Sequence, residues 1–336
     1  MALEMREAPD VAANLISGQG DAMRALGRRL REQDCPLIAT CARGSSDHAA
    51  GYLKYLFEIM TGTPVASIGP SVASIYAAPL RLKGAALITI SQSGRSPDLV
   101  ALQEAARAAG ALDIAIVNAA DSPVANNADI VIPLGAGQEK SVAATKSFIA
   151  SCIAAAGLAA GWTGDQALWS GLQALPGRLE QALSADWSAA EATLVDASSL
   201  YVIGRGPAFP VAQEAALKAK EVAALHAEAF SAAEVMHGPL RLVQHRFPVF
   251  AFVPEDEAAS INREGLERMV RAGANVITAA SSPAPGRCLP VATTGHRYLD
   301  PLAMVLSYYR LIETVCRLRG HDPDRPPNLA KVTETM

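Results

Sequence analysis

The chain contains 336 residues, a length that favours two domains over a single core. Hydrophobic residues make up 50% of it and the formal net charge is −4, a balance that argues against nucleic acid as its main partner. The five cysteines are scattered without a CxxC spacing, which predicts buried thiols in a reducing compartment and no structural metal.

Neither the start of the chain nor its apolar stretches indicate export or a membrane partner. The start MALEMREAPD lacks a basic run followed by an apolar stretch, so we expect a cytoplasmic protein. Two uncharged stretches approach bilayer-spanning length, but Ile59 to Leu80 holds three prolines and Ser147 to Gly164 is diluted by small and hydroxyl residues.

The first half of the chain alternates helices with strands. Apolar residues repeat at helical spacing from Pro9 to Arg31, and the short apolar run LIATCA follows. Ala- and Leu-rich periodic segments that favour helices separate four further runs, namely VASIG, AALITIS, LDIAIVN and DIVIPL. This alternation predicts a parallel sheet that is covered on both faces.

The same order of elements returns in the second half. The pattern is wholly helical from Ser147 to about Leu194, and alternation then resumes with LYVIG, a helix from about Pro207 to Leu225, FPVFAFV, ANVITAA and LPVAT. RAAGALDIAIVN also resembles RAGANVITAA. We predict two α/β modules at residues 1–160 and 195–320, a helical linker at 161–194 and a tail at 321–336.

A serine-rich loop follows the strand AALITI. The sequence SQSGRSPD leads from this strand into a helix, so unpaired backbone N–H groups and the hydroxyls of Ser91, Ser93 and Ser96 are available to a phosphate. Capping by Ser96, with Pro97 as the first helical residue, is a competing interpretation that is compatible with phosphate binding. A Walker-type loop is excluded because GxxxxGK does not occur.

Three charged residues share one face of the helix AQEAALKAKEVAAL. Glu214, Lys218 and Glu221 stand at i, i+4 and i+7. A solvated face with an ordinary ion pair is one interpretation. The other is a carboxylate that transfers protons, with Lys218 holding Glu221 ionised and Glu214 orienting Lys218.

Five motifs carry a resemblance to a known family. SQSGRSPD resembles the SQSGET-type loop that grips phosphate in sugar isomerase (SIS) domains. With it, ARGSSDHAAGYLKY, GQEKSVAATKSF, EAALKAKEVAALHAEAFSAAEVMHGPL and DRPPNLAKVT resemble the isomerase half of glucosamine-6-phosphate synthase. The resemblance implies two tandem SIS modules, each a flavodoxin-like three-layer sandwich with a parallel sheet, that bind a sugar phosphate without a metal or other cofactor.

The resemblance also implies roles for individual residues. Glu221 matches the general base, and Lys331 matches a lysine that forms a Schiff base with the ketose carbonyl. His237 matches the histidine that opens the pyranose ring and is contributed by the neighbouring subunit, which implies an obligate homodimer. Synthases usually carry serine where Ala144 stands. The matching substrate-binding positions are Ser45, Ser46, Ser91, Gln92, Ser93, Ser96, Val142, Ala144 and Ala330.

The reaction follows from the same resemblance. A glutamine-dependent synthase needs a glutaminase with an N-terminal cysteine, whereas Ala2 follows Met1 here, so we expect no such synthesis. The prediction is a deaminase that converts glucosamine 6-phosphate into fructose 6-phosphate and ammonia. Alternatives are a fructose-amine 6-phosphate deglycase, a galactosamine-6-phosphate deaminase and a noncatalytic sugar-phosphate sensor. A dehydrogenase is disfavoured because no GxGxxG follows an early strand.

Overall fold

The first five strands form one parallel sheet. In the computed structural model, which describes residues 1–329 and 331, the strand order is β2-β1-β3-β4-β5. Every residue of β3 is buried, as expected of a β-branched strand between two neighbours in a parallel sheet. The bounds are β1 (Ile38–Cys41), β2 (Val65–Ser67), β3 (Ala86–Ser91), β4 (Leu112–Val117) and β5 (Ile130–Pro133).

The second sheet repeats this topology. Its strand order is β7-β6-β8-β9-β10, so β6, the first of these strands along the chain, lies second from one edge, as β1 does in the first sheet. All of its strands are parallel. The prediction of two tandem α/β modules with parallel sheets is therefore confirmed. The bounds are β6 (Ser199–Ile203), β7 (His226–Phe230), β8 (Pro248–Val253), β9 (Asn275–Ala280) and β10 (Arg287–Leu289).

Two strands of the second sheet differ from the sequence pattern. The pattern predicts no strand at β7, an edge strand whose sequence HAEAF contains alanine and glutamate rather than β-branched residues. The last strand was expected in LPVAT, but β10 ends at Leu289, because Pro290 has no N–H to donate to a neighbouring strand.

Helices alternate with the strands of each sheet. No helix among the described residues is long and apolar enough to cross a membrane. The helices are α1 (Ala2–Arg6), α2 (Ala8–Glu32), α3 (Ser45–Thr61), α4 (Ser71–Ser74), α5 (Pro97–Ala108), α6 (Pro123–Asn127), α7 (Lys146–Thr163), α8 (Gln166–Ser184), α9 (Glu191–Val195), α10 (Ala208–Ala223), α11 (Ala232–Val235), α12 (Ala259–Arg271) and α13 (Asp300–Leu318), with short 3-10 turns at Ser188–Ala190 and Pro239–Leu242. Along the chain, α7, α8 and α9 lie between β5 and β6.

Close packing explains the small residues of α7, which is buried along almost its whole length. A Cβ at Gly161 would lie 2.3 Å from the Arg24 carbonyl oxygen, and one at Gly27 would lie 2.1 Å from the Leu158 carbonyl oxygen. Helices α2 and α7 therefore approach each other closely enough that only glycine fits at these two positions.

The described chain divides into two compact units. The first unit carries the first sheet and comprises Asp10–Glu139, Lys146–Gln173 and Lys331. The second unit carries the second sheet and comprises Met1–Pro9, Lys140–Thr145 and Ala174–Leu329. Helix α1 and the short segment Lys140–Thr145 thus belong with the second sheet.

All five cysteines are free. Cys35, Cys41, Cys152 and Cys316 are buried, as predicted. The prediction is wrong for Cys288, which is exposed because it lies on the edge strand β10.

Candidate active site

Gly94 sets the shape of the serine-rich loop in the first unit. Its φ is +63°, and a Cβ there would lie 2.0 Å from the Ser122 Oγ, so a larger residue would displace buried neighbours. The Gly94 amide donates to the Ser91 Oγ at 2.9 Å, and the Gly94 carbonyl accepts from the Val124 amide at 3.0 Å. The loop is therefore fastened to both β3 and α6.

The remaining loop residues present polar groups at the start of α5. Ser96 is the N-cap residue and Pro97 is the first helical residue, as the sequence predicts. The Ser96 hydroxyl makes no capping hydrogen bond, so this hydroxyl is not engaged in capping α5. The Ser93 Oγ accepts from the Arg95 amide at 3.4 Å, and both Gln92 and Ser93 are half-buried.

Ser45 and Ser46 form the first turn of α3. The N-cap position is Gly44, so neither serine fills the capping position that competes with a binding role. Strands β1 and β3 pair in parallel, which places the loops that follow them at the same edge of the sheet. The two serines and the serine-rich loop therefore share this edge.

An ion pair that the sequence analysis missed joins these two loops. The Arg43 Nε donates to the Asp98 Oδ2 at 2.7 Å, and the Arg43 Nη2 contacts the same oxygen. Asp98 is 1% exposed, and its Oδ1 has no hydrogen-bond partner within the described part of the chain. The available signal was a pair of opposite charges placed just after two strands that neighbour each other in the sheet.

In the second unit, Lys218 lies buried between two carboxylates. Its Nζ is 3.2 Å from the Glu214 Oε1 and 2.6 Å from the Glu221 Oε2. The Tyr309 hydroxyl on α13 donates to the Glu214 Oε1 at 3.1 Å. The Glu214 side chain is fully buried, whereas that of Glu221 is 23% exposed. Of the three charged groups, only Glu221 reaches solvent.

The electrostatics of this cluster keep Lys218 charged. Burial by itself lowers the pKa of Lys218, but the Glu214 and Glu221 carboxylates outweigh burial and raise that pKa above its ordinary value. The lysine is therefore an ammonium at neutral pH. A carboxylate held by an ammonium on one side and open on the other can accept and return a proton.

His237 and the segment that contains Val142 and Ala144 also lie in the second unit. His237 is exposed, follows α11 and precedes Gly238, which has a φ of +152°. Val142 and Ala144 are half-buried in an irregular segment.

Glu4 of α1 anchors the segment that contains Val142 and Ala144. The Glu4 Oε1 accepts hydrogen bonds from the Lys140 amide and, at 3.1 Å, from the Ser141 amide. The sequence analysis missed this role of Glu4, because α1 is far from the segment in sequence.

Lys331 lies in the first unit beside a buried carboxylate. Its Nζ is 3.8 Å from the Glu139 Oε2, and the Glu139 side chain is fully buried. Glu139 also accepts from the Ser147 hydroxyl and, at 3.1 Å, from the Lys146 amide. The sequence analysis also missed Glu139, although this residue lies within the motif GQEKSVAATKSF. Ala330 lies outside the described residues.

The family assignment agrees with this architecture. The SIS domain model matches residues 33–160 and 193–284, which contain β1 to β9. This chain belongs to the SIS domain family. The predicted pair of tandem SIS modules is therefore confirmed, with the first sheet in one matched stretch and β6 to β9 of the second sheet in the other.

Relatives of this SIS protein include longer enzymes. Glutamine–fructose-6-phosphate aminotransferase (isomerizing) of Symbiobacterium thermophilum is 33% identical over 98% of this chain and 58% of its own length. The chain thus spans less than two thirds of that relative. A candidate phosphosugar isomerase of Silicibacter pomeroyi DSS-3 has a TM-score of 0.92 and 41% identity, covering 96% of this chain and 98% of that one. Glucosamine-6-phosphate deaminase of Thermotoga maritima shares the fold, with a TM-score of 0.72, 19% identity and coverage of 97% and 100%.

The two SIS modules therefore differ in the chemistry they can supply. The first offers hydroxyl and amide donors at a helix start, which suit an anion. The second offers a half-buried carboxylate that reaches solvent beside a buried ammonium, which suits proton transfer.

Proposed function

We propose that this SIS protein is an aminosugar-phosphate deaminase that converts glucosamine 6-phosphate and water into fructose 6-phosphate and ammonia. The observation that carries the proposal is the Glu221 carboxylate, the only group of the buried cluster on α10 that reaches solvent. Support also comes from relatives named for fructose 6-phosphate and glucosamine 6-phosphate.

In this proposal the first module holds the substrate by its phosphoryl group. The hydroxyls of Ser91, Ser93 and Ser96 and the free amides at the start of α5 donate to the phosphoryl oxygens. Ser45 and Ser46 contact the sugar from the adjacent loop. The Arg43–Asp98 ion pair keeps the two loops together, so that the anion and the sugar are gripped by one rigid edge.

Glu221 moves the proton in the open-chain sugar. It takes the proton from C2 of the aldose and returns it to C1, while a second proton passes from the C2 nitrogen to the C1 oxygen, so that the aldehyde becomes a CH2OH group and the C2 amine becomes an imine. Water then adds to C2, and the carbon–nitrogen bond breaks with release of ammonia, leaving the C2 carbonyl of fructose 6-phosphate. Lys218 stays protonated throughout and holds one oxygen of Glu221 in place.

Lys331 can replace water in the step that removes ammonia. Its amine attacks the C2 imine, ammonia leaves, and water hydrolyses the resulting Schiff base to the ketose. The buried Glu139 carboxylate, 3.8 Å from the Lys331 Nζ, positions this amine. We propose this positioning role as an addition to the residues that the sequence predicts.

Ring opening falls to His237, which we propose comes from a second subunit. Its imidazole is exposed and can protonate the ring oxygen. The active species is then a homodimer with shared sites. Mixing Glu221→Gln and His237→Ala proteins should restore part of the activity that each lacks alone. Mixtures that stay inactive would contradict shared sites.

The experiment that tests the proposed reaction is ammonia release from a substrate panel. Purified protein is given glucosamine 6-phosphate, galactosamine 6-phosphate or fructoselysine 6-phosphate. The amine that is released (ammonia, or lysine from fructoselysine 6-phosphate) and the sugar phosphate product are measured together. We expect equal amounts of ammonia and fructose 6-phosphate from glucosamine 6-phosphate, and little from the other two. Preference for another substrate would assign that reaction instead, and binding without turnover of any of them would support the sensor.

A further inference from the structure

A cavity of about 560 Å³ lies at the amino ends of strands in the second sheet. Pro248, Asn275 and Arg287 line it, and they are the first residues of β8, β9 and β10. Among the described residues, none of those assigned above to the sugar site lines this cavity. Its volume falls within the range of roughly 300–1,000 Å³ that small-molecule sites occupy.

Positive charge dominates the lining. Arg246 and Arg287 both line the cavity, and an adjoining hollow of about 420 Å³ shares them and adds His245. Neither guanidinium forms an ion pair with any residue that the structure describes. The Arg287 Nη1 donates to the Ala189 carbonyl, which leaves the charge unneutralised. Asp196 is the one carboxylate among the described lining residues.

Arg246 occupies a strained backbone position. Its φ is +61°, in the left-handed region that residues with a Cβ rarely adopt. The Arg246 amide donates to the Gly273 carbonyl at 2.7 Å, which pins the turn before β8. Glycine would relieve the strain, yet the position carries an arginine that lines both hollows.

We infer that this cavity is a second ligand site, which binds a small phosphorylated, hydroxyl-bearing metabolite. The guanidinium groups of Arg246 and Arg287 donate to the phosphoryl oxygens, because planar guanidinium matches phosphate geometry. Asp196 accepts hydrogen bonds from the hydroxyls of the ligand. Asn275, whose Nδ2 is hydrogen-bonded to the Thr193 Oγ1 at 3.2 Å, holds that wall in place.

Calorimetric titration with inorganic pyrophosphate at constant ionic strength tests this site. Three double variants separate the possibilities. Arg246→Ala/Arg287→Ala removes the proposed contacts, Arg268→Ala/Arg271→Ala removes two charges from α12 outside the cavity, and Ser91→Ala/Ser93→Ala weakens the serine-rich loop. We expect the first variant to lose one pyrophosphate per chain, or at least tenfold in its affinity, and the α12 variant to match the wild type.

The expected result does not depend on the proposed deaminase. The Ser91→Ala/Ser93→Ala variant should keep the cavity-bound pyrophosphate even if the serine-rich loop binds no phosphate at all. Arg246→Gly, which suits the positive φ, should also weaken binding while preserving the fold, as circular dichroism will show. Unchanged binding in both Arg246 variants, or an equal loss in the α12 control, would overturn the inference.

Discussion

The two modules share one strand order, but a buried acid in the core of each is compensated differently. In the second, Glu214 and Lys218 are both fully buried and neutralise each other, with Tyr309 donating to the same carboxylate. In the first, Asp113 of β4 is fully buried and has no salt-bridge partner among the residues that the structure describes, and burial raises its pKa to about 7.

The function proposed above assigns a different chemical task to each module, and this difference agrees with that assignment. A buried ion pair holds its partners rigidly but is destabilising when one partner is lost. The second module uses that rigidity to fix Glu221 at its solvent-exposed end. The first module instead offers hydroxyl and backbone donors at the carboxyl edge of its sheet, where the Arg43–Asp98 ion pair joins two loops.

Removing the central cation should produce the largest change in stability. We expect Lys218→Met to lower the free energy of unfolding by about 3–5 kcal/mol, because it leaves the buried Glu214 carboxylate uncompensated. Urea unfolding followed by circular dichroism measures the change. Lys220→Met, two residues away on the same helix but exposed, is the matched control and should change it by less than about 0.5 kcal/mol. Equal effects of the two variants would contradict a buried, charged Lys218.

In the first module, a substitution in the serine-rich loop should change stability less than Lys218→Met does, and it tests how tightly the loop is held. Gly94→Ala should lower the free energy of unfolding by about 2–3 kcal/mol, because the new methyl group overlaps Ser122 and the φ is positive. Gly84→Ala is the control for backbone strain alone, since Gly84 also has a positive φ but no atom within 4 Å of its Cβ position. It should lose about 1 kcal/mol. A Gly94→Ala protein as stable as the control would show that the loop is loosely held.

The raised pKa of Asp113 predicts that the stability of the protein depends modestly on pH. Its folded-state pKa of about 7 exceeds the ordinary value of 3.8, so the unfolded chain ionises first as pH rises. The stability that the neutral carboxyl provides is full below pH 3.8 and is lost as pH rises to about 7. Asp113→Asn should flatten the stability profile across this window, since the Gln103 Nε2 can still donate to an amide oxygen. Asp129 and Arg107 are the other charged groups that act on Asp113.

The control for this prediction is the exposed Glu104→Gln on α5. The free energy of unfolding is measured between pH 4 and pH 8 for both variants and for the wild type. A wild-type slope that survives Asp113→Asn would assign the pH dependence to other groups.

The sequence predicted most of the fold because its strand runs are β-branched and buried, as in AALITIS. The sequence pattern did not predict the strand at HAEAF, because an edge strand needs only about half of its residues to be apolar. The i, i+4, i+7 spacing placed Glu214, Lys218 and Glu221 on one face, but spacing alone could not distinguish a solvated face from a buried one. The contacts Arg43–Asp98 and Glu139–Lys331 join residues far apart in sequence, so only the folded chain reveals them.

The measurement that tests the account most directly is the turnover of glucosamine 6-phosphate by Glu221→Gln. The amide cannot take the C2 proton, so we predict that kcat falls by about 10²–10⁴-fold while the unfolding transition stays close to that of the wild type. Glu228→Gln, an exposed acid of the same module, should retain wild-type kcat. If the Glu221→Gln protein releases ammonia at a rate near that of the wild type, Glu221 is not the base and the proposed mechanism is wrong.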